Sequence, residues 1–322
     1  SSSDSPALAI RLAAVIGGRY AEPGEAATNL VLIELGDAFV LCLDLSSQTH
    51  HPIASHADCP LPQGPIALDA PVSPTYARTL QMWANRPFSF NASLDFPIAV
   101  AALNVTACAH LAHKQRQRAS SGDVSHAQEA GGILDGMTVL DPCCGSGTVP
   151  AMACALGARA VLTSDLRAEF LKKTQSNFQH AGIRSHNLAL AGESAHTHQG
   201  CSGEDILPTL VTLFEHDAKT PFPQEYTAAH QQGEGIDIVV ANPPWGRNIG
   251  TGEDTFAIVH NVMSCFPRAT AGFIMSECTF QSLVDMQNRH HEQGRDLLIE
   301  IQQQIRLGTT VLVVLRRWEP VI

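Results

Sequence analysis

Residues 136–148 read GMTVLDPCCGSGT, and this stretch decides the fold. Met137–Leu140 is a short apolar run that reads as a strand. Asp141 closes it, a Gly-rich turn follows, and Val149–Leu156 continues as an Ala-rich helix. The same grammar repeats downstream. Ala160–Thr163 is a second strand ending at Asp165, and Ala168–Ala181 a helix with Phe170, Leu171, Thr174 and Phe178 along one face. Leu210–Phe214 is a third strand with Asp217 just past its end, and Ile236–Ala241 a fourth that runs into Asn242-Pro243-Pro244-Trp245. Ile258–Phe266, Gly272–Met275 and Phe280–Met286 carry the alternation on. Leu297–Ile305 and Thr309–Leu315, joined at Leu307-Gly308, imply a closing antiparallel pair.

Strand and helix in alternation imply an α/β fold, a doubly wound, largely parallel sheet with helices on both faces. In such sheets ligands sit beyond the carboxyl ends of the strands. Asp141, Asp165, Asp217 and Asn242 all fall at that end of successive strands.

Upstream the pattern differs. Asn29–Leu35 (NLVLIEL) and Ala38–Leu45 (AFVLCLDL) flank Gly36-Asp37 and read as a hairpin. The segment from Thr49 to Pro74 is rich in Pro, His and Ser and reads as a loop. His50, His51, His56 and Cys59 within it offer metal-ligand atoms, but the surrounding prolines favour a polar loop, and no metal is expected. Phe96–His113 carries no charge, yet it is 18 residues long and holds Pro97, Asn104, Thr106 and two His. A membrane span needs about 20 predominantly apolar residues, so a buried Ala-rich helix is expected and no membrane partner. Residues 115–133 and 184–204 read as polar, Gly-containing insertions. The chain is thereby divided into a small N-terminal α+β region, residues 1–80, and a sheet domain, residues 81–322.

Composition excludes several classes. The chain has 322 residues, enough for one large domain or one large and one small, and 44% hydrophobic residues, which rules out a disordered chain. The net charge is −11 and only four of the 20 basic residues are Lys, so no large basic face is expected. A polyanionic substrate must then be held by a local patch, a further region or a partner. Lys114, Arg116 and Arg118 form a small basic cluster that suits phosphate or simply a solvated helix end. The nine Cys are scattered with no Cys-x-x-Cys pair, as expected of reduced, mostly buried thiols in an intracellular protein, cytoplasmic or nuclear. No signal-peptide pattern follows Ser1, and the chain reads as a piece of a longer one.

Each motif has its own chemistry. The glycines of Asp141–Thr148 permit a tight turn and close approach of a ligand to backbone, and helix amides beyond them suit a carboxylate or phosphate. No Gly-Lys-Ser/Thr follows, so this is not a P-loop. Asp165 lies 20 residues after Gly145, the spacing at which an acid accepts hydrogen bonds from ribose hydroxyls. A dinucleotide would fit that spacing equally, and a helix-capping Asp is the plain alternative. Asp217 suits an adenine amino group or, as plainly, a turn. In Asn242-Pro243-Pro244-Trp245 the prolines hold the backbone extended, so the Asn amide oxygen and the next carbonyl can both accept from one amino group. Trp245 offers a face for a base to stack on.

As a set these motifs resemble the class I methyltransferases that modify exocyclic amino groups with S-adenosylmethionine, and so imply a seven-stranded Rossmann-like sheet. The segment Trp83–Leu94 (WANRPFSFNASL), leading into an Ala-rich helix, is similar to the lead-in of the THUMP-associated RNA methyltransferases, which methylate the 2-amino group of guanine in tRNA and related RNAs. The resemblance covers residues 80–322. It implies that Asp141, Gly145 and Gly147 line the methionine end of the cofactor, that Asp165 takes the ribose, and that Asp217 takes the adenine. Cys143, Ser146 and Thr148 of the same turn, Leu166 beside Asp165 and Ala218 beside Asp217 complete the cofactor set. Asn242, Pro243 and Pro244 hold the target amine, and Trp245 stands where the family has Phe or Tyr. Residues 1–75 are shorter than a THUMP domain and are expected to be its tail, a reduced form or a different module. The resemblance also implies an RNA substrate, tRNA first, and a small zinc-binding activator protein that docks at the sheet border, expected at Leu210–Phe214. Two other readings share the motifs: methylation of the 6-amino group of adenine in RNA or DNA, and a non-catalytic, cofactor-binding RNA-associated subunit.

Overall fold

Asp141 ends a strand, β3 (Thr138–Asp141), whose four residues are all buried. A central parallel strand is covered on both faces and reads as a continuous apolar run. The computed structural model describes residues 29–35, 38–44, 79, 81–90, 93–121, 133–188, 209–231, 235–244, 252–292, 299–307 and 310–317. The chain divides into two units, residues 1–77 and 78–322.

In the first unit β1 (Asn29–Leu35) and β2 (Ala38–Asp44) pair antiparallel, from Asn29 opposite Asp44 to Leu35 opposite Ala38. This is the expected hairpin. His50, His51, His56 and Cys59 lie outside the described residues.

The second unit adds β4 (Ala160–Asp165), β5 (Arg184–Asn187), β6 (Leu210–Glu215), β7 (Ile238–Ala241), β8 (Thr270–Ser276), β9 (Ile299–Leu307) and β10 (Thr310–Arg317). With β3 they form one eight-stranded sheet in the order β5-β6-β4-β3-β7-β8-β10-β9. Pairing is parallel from β5 to β8, and β10 is antiparallel to both β8 and β9. The strand order reverses at β3, whose neighbours are β4 and β7.

Eight strands correct the expected seven. The additional strand, β5, falls in the stretch read as a polar insertion. Arg-Ser-His-Asn has low strand propensity, and only Asn187 of the four is buried, so no apolar alternation announces it. Chain geometry makes it. Gly182 at φ +70° turns the chain at the end of the preceding helix, and the Ile183 N–H bonds to the Phe178 carbonyl at 2.9 Å. β5 then pairs with β6, so Leu210–Phe214 is not the sheet border.

The helices are α1 (Phe96–Ser121), α2 (Thr148–Ala155), α3 (Ala168–His180), α4 (Gln224–Gln231), α5 (Gly252–Cys265) and α6 (Glu277–Glu292). By length and composition alone α1 would pass for a membrane span. It packs on the sheet instead, with Ala99, Ala102, Leu103, Val105 and Ala107 buried. A Cβ on Gly272 would meet the Thr106 hydroxyl at 2.1 Å, so only glycine lets α1 lie this close to β8. The next residue, Phe273, points the other way into a core shared with Val259 and Val262 of α5 and Leu283 of α6. α1 and the α5–α6 pair therefore cover opposite faces. α1 also runs on to Ser121, correcting the expected start of an insertion at 115. The segment Lys114–Ala119 is made of good helix formers. Its Lys114 bonds Asp237 at 2.9 Å, at the amino ends of the strands and away from the strand-end acids.

Candidate active site

The turn after β3 is held from three sides. From β4, the Thr163 hydroxyl donates to the Asp141 carbonyl at 3.1 Å, the Ser164 hydroxyl to the Pro142 carbonyl at 3.2 Å, and the Ser164 carbonyl accepts the Cys144 N–H at 2.9 Å. From α3, the Thr174 hydroxyl donates to the Gly145 carbonyl at 2.6 Å and the Asn177 amide to the Ser146 carbonyl at 2.9 Å. Third comes the segment before α1. Phe88 and Phe90 stack with centroids 5.7 Å apart, and Phe170 joins both.

Gly145 and Gly147 take φ of +53° and +87°, the left-handed region that favours glycine. A Cβ on Gly147 would lie 2.6 Å from Thr174 Cγ2 and 2.9 Å from Phe178, and one on Gly145 3.1 Å from Phe90. The room these glycines leave is filled by the protein's own side chains. Ser146 and Thr148 are buried with hydroxyls 3.4 Å apart. α3 buries Leu171, Thr174, Asn177 and Phe178, while Phe170 leaves that face for the phenylalanine group.

Asp141 is buried, and its carboxylate accepts the Cys143 N–H at 3.1 Å. Burial is the main force on it, outweighing that hydrogen bond and aided by Asp165, and pushes its pKa up to about 8. Burial, helped by the neighbouring acids, also raises the Cys143 and Cys144 thiols well above their ordinary range. They are therefore thiols, not thiolates, at neutral pH.

Asp165 reaches back over the turn. One oxygen accepts the Gly145 N–H and the other the Arg167 N–H, each at 3.0 Å. Burial raises its pKa and these two N–H groups oppose the shift. A carboxylate has about four acceptor positions, so two are left beside the two amides. Next to it Leu166 is 59% exposed, an apolar side chain open to solvent beside the strand-end acid. Across the strand ends the His216 N–H bonds the Asp165 carbonyl at 3.1 Å and brings the β6 loop alongside. There Asp217 accepts the Lys219 N–H at 3.0 Å, and Ala218 is buried. The strand-end acids and the exposed leucine are the groups that could hold S-adenosylmethionine, whereas the glycines serve the packing of the turn and not the expected close approach of a ligand. Of these, Asp165 could hold its ribose, Leu166 and Asp217 its adenine, and Asp141 its methionine end.

On the other side of β3, pairing of Leu140 with Val239 sets β7 so that Asn242 emerges beside the end of β3. Asn242 is half-buried and Pro243 buried. The Pro244 carbonyl accepts the Thr255 hydroxyl of α5 at 3.1 Å. Trp245 lies outside the described residues. The acids and the Asn-Pro-Pro segment are thus gathered at one edge of the sheet, around the strand-order reversal.

Residues 128–296 match the UPF0020 family, described as an RMKL-like methyltransferase domain. The chain belongs to this family. The matched region holds every strand-end residue described above, and the methyltransferase accordingly uses S-adenosylmethionine. No curated protein matches it by sequence. Among solved structures, the human methyltransferase 10 domain containing protein is 13% identical, with 65% of this chain and 82% of that one covered and a TM-score of 0.37. A ribosomal protein L11 methylase from Lactobacillus delbrueckii subsp. bulgaricus is 16% identical, with 64% and 80% covered and a TM-score of 0.36. TrmN from Thermus thermophilus is 15% identical, with 95% and 64% covered and a TM-score of 0.39.

Three residues of the methyltransferase site escape a reading of sequence alone: Asn177, Thr255 and Asn261. Each is a polar residue buried on a helix. Asn177 and Asn261 lie toward the ends of their helices. An Asn before an apolar residue, as in Asn177-Phe178 and Asn261-Val262, recurs in Asn104-Val105 of α1, so no local signal singles them out.

Proposed function

We propose that this methyltransferase acts on an exocyclic amino group of a base in RNA, and that its substrate is the 2-amino group of guanine in tRNA. The observation that carries this reading is the Asn242-Pro243-Pro244 segment at the end of β7, beside β3 and its Gly-rich turn. Bound S-adenosylmethionine supplies a methyl group made electrophilic by its sulfonium. The Asn242 side-chain oxygen and the Pro243 carbonyl accept the two amino protons of the base and turn the nitrogen lone pair outward. As nitrogen gains positive charge on methyl transfer the same two acceptors stabilise it, and one proton then leaves to solvent. No strong base is needed.

The charge of −11 argues that RNA is held with help. The proposed sources are a THUMP-like N-terminal region and a small zinc-binding activator protein. Labelled methyl transfer to total RNA from cells lacking this protein, with digestion and nucleoside mass spectrometry, tests the reading. N2-methylguanosine is expected. N6-methyladenosine would assign the adenine reading instead, and cofactor binding without transfer the non-catalytic one.

A further inference from the structure

Helix α5 touches both halves of the site. Near its start the Thr255 hydroxyl, fully buried, donates to the Pro244 carbonyl at 3.1 Å. Two turns on, the Asn261 amide donates to the Ala218 carbonyl at 2.9 Å and to the Thr220 carbonyl at 2.5 Å. These two carbonyls flank Lys219 in the loop after β6 that carries Asp217. The same loop is closed on itself, because the Thr220 N–H and hydroxyl both donate to the Asp217 carbonyl at 2.8 Å. The exposed pair of Lys219 with Asp254, 3.1 Å apart, adds a third tie of little energetic weight.

Nothing in the folding of α5 itself calls for these polar side chains. Its Phe256, Ile258, Val259, Val262 and Met263 are buried in the core and anchor it. A hydroxyl and an amide buried in that setting are costly unless hydrogen-bonded. Here their donors go to carbonyls of two different loops, each of which carries a site residue. Along a helix six residues span about 9 Å, so the spacing of Thr255 and Asn261 is rigid.

We propose that α5 is a shared brace, with Thr255 positioning the amine-holding Asn242–Pro244 segment and Asn261 positioning the Asp217 loop against the cofactor's adenine. This rests on the site reading above. It adds that one helix sets the distance between the amine and the cofactor.

The test uses the full chain and two readouts, cofactor affinity by calorimetry and turnover on RNA. Thr255→Val keeps the shape and removes the donor. It is expected to lower turnover about tenfold or more while cofactor Kd stays within about twofold. Thr255→Ser restores the hydroxyl and is expected to recover most of that loss. Asn261→Leu, and Asn261→Ser should the leucine variant fail to fold, are expected to raise cofactor Kd about tenfold. Their loss of turnover should be made good by added cofactor. The brace is overturned if Thr255→Ser is as impaired as Thr255→Val, if Thr255→Val turns over normally, or if the folded Asn261 variants bind cofactor like the parent. Should the parent methylate no RNA, the substrate reading falls, and the Asn261 affinities alone decide the brace.

Discussion

The Asn177 side chain pairs with the Phe88 backbone as a neighbouring strand would. Its oxygen accepts the Phe88 N–H at 2.9 Å and its NH2 donates to the Phe88 carbonyl at 2.8 Å. The same NH2 group reaches the Ser146 carbonyl at 2.9 Å. One buried amide thus ties the segment before α1 to the Gly-rich turn. Asn177→Leu leaves three backbone groups without this partner and should cost about 2–4 kcal/mol of stability. Urea unfolding measures it, and a loss below about 1 kcal/mol would show that the latch is dispensable.

The glycine turn makes a ranked prediction. Gly147→Ala must place a methyl 2.6 Å from Thr174 at a φ of +87°, whereas Gly145→Ala meets Phe90 at 3.1 Å, where a ring can shift. Both variants should be destabilised, Gly147→Ala more so, by roughly 2 kcal/mol or more. Thermal melts of the two side by side check the order.

Much of this site was legible from sequence because strand-end acids and Asn-Pro-Pro are local signals. Asp141 and Asn242 each follow a short apolar run directly, and Asp165 follows one after Thr163-Ser164, so a strand reading places them. The latch was not legible, because Asn177 and Phe88 are 89 residues apart and only the packing of α3 against the turn joins them. β5 was missed for a different reason. Its residues are polar, and what makes it a strand is the backbone of β6 beside it. The glycines were legible as a turn, but the side chains that fill the room they leave are a tertiary fact.

Asp165→Ala removes the acceptor of two backbone amides and the proposed ribose acceptor together. Cofactor affinity should fall by about 1.5–3 kcal/mol, with RNA affinity much less affected. Calorimetry with S-adenosylmethionine and a filter-binding assay with RNA separate the two. Unchanged cofactor affinity would remove Asp165 from the site.

Asp141 gives the fold a pH dependence of definite sign. Its folded pKa, about 8, lies above that of an unfolded aspartate, near 4. Between those values the folded state holds a proton that the unfolded chain has lost. This contribution to stability is full below about pH 4 and is lost as pH rises through about 8, by at most ~1.4 kcal/mol per pH unit. His110 works the other way, because burial lowers its pKa and stability is lost as acid charges it. The Asp141→Asn variant isolates the first effect. Its melting temperature should fall less than the parent's between pH 5 and pH 8, and parallel profiles would show that Asp141 is ionised throughout.

Asn242 has its proposed partner in the substrate, so its removal should separate binding from chemistry. Asn242→Ala takes away one of the two acceptors that orient the amine and stabilise it as charge develops. Loss of such a group costs on the order of 10²-fold in turnover. Cofactor Kd should stay within about twofold, because the proposed ribose and adenine acceptors Asp165 and Asp217 lie on β4 and in the β6 loop, across β3 from β7. Asn242→Asp keeps an acceptor oxygen of the same reach and should retain more turnover than the alanine variant. Single-turnover methyl transfer at saturating cofactor, beside calorimetry, reads both quantities. Equal losses in affinity and rate for Asn242→Ala would mean that the segment shapes the loop and never holds the amine.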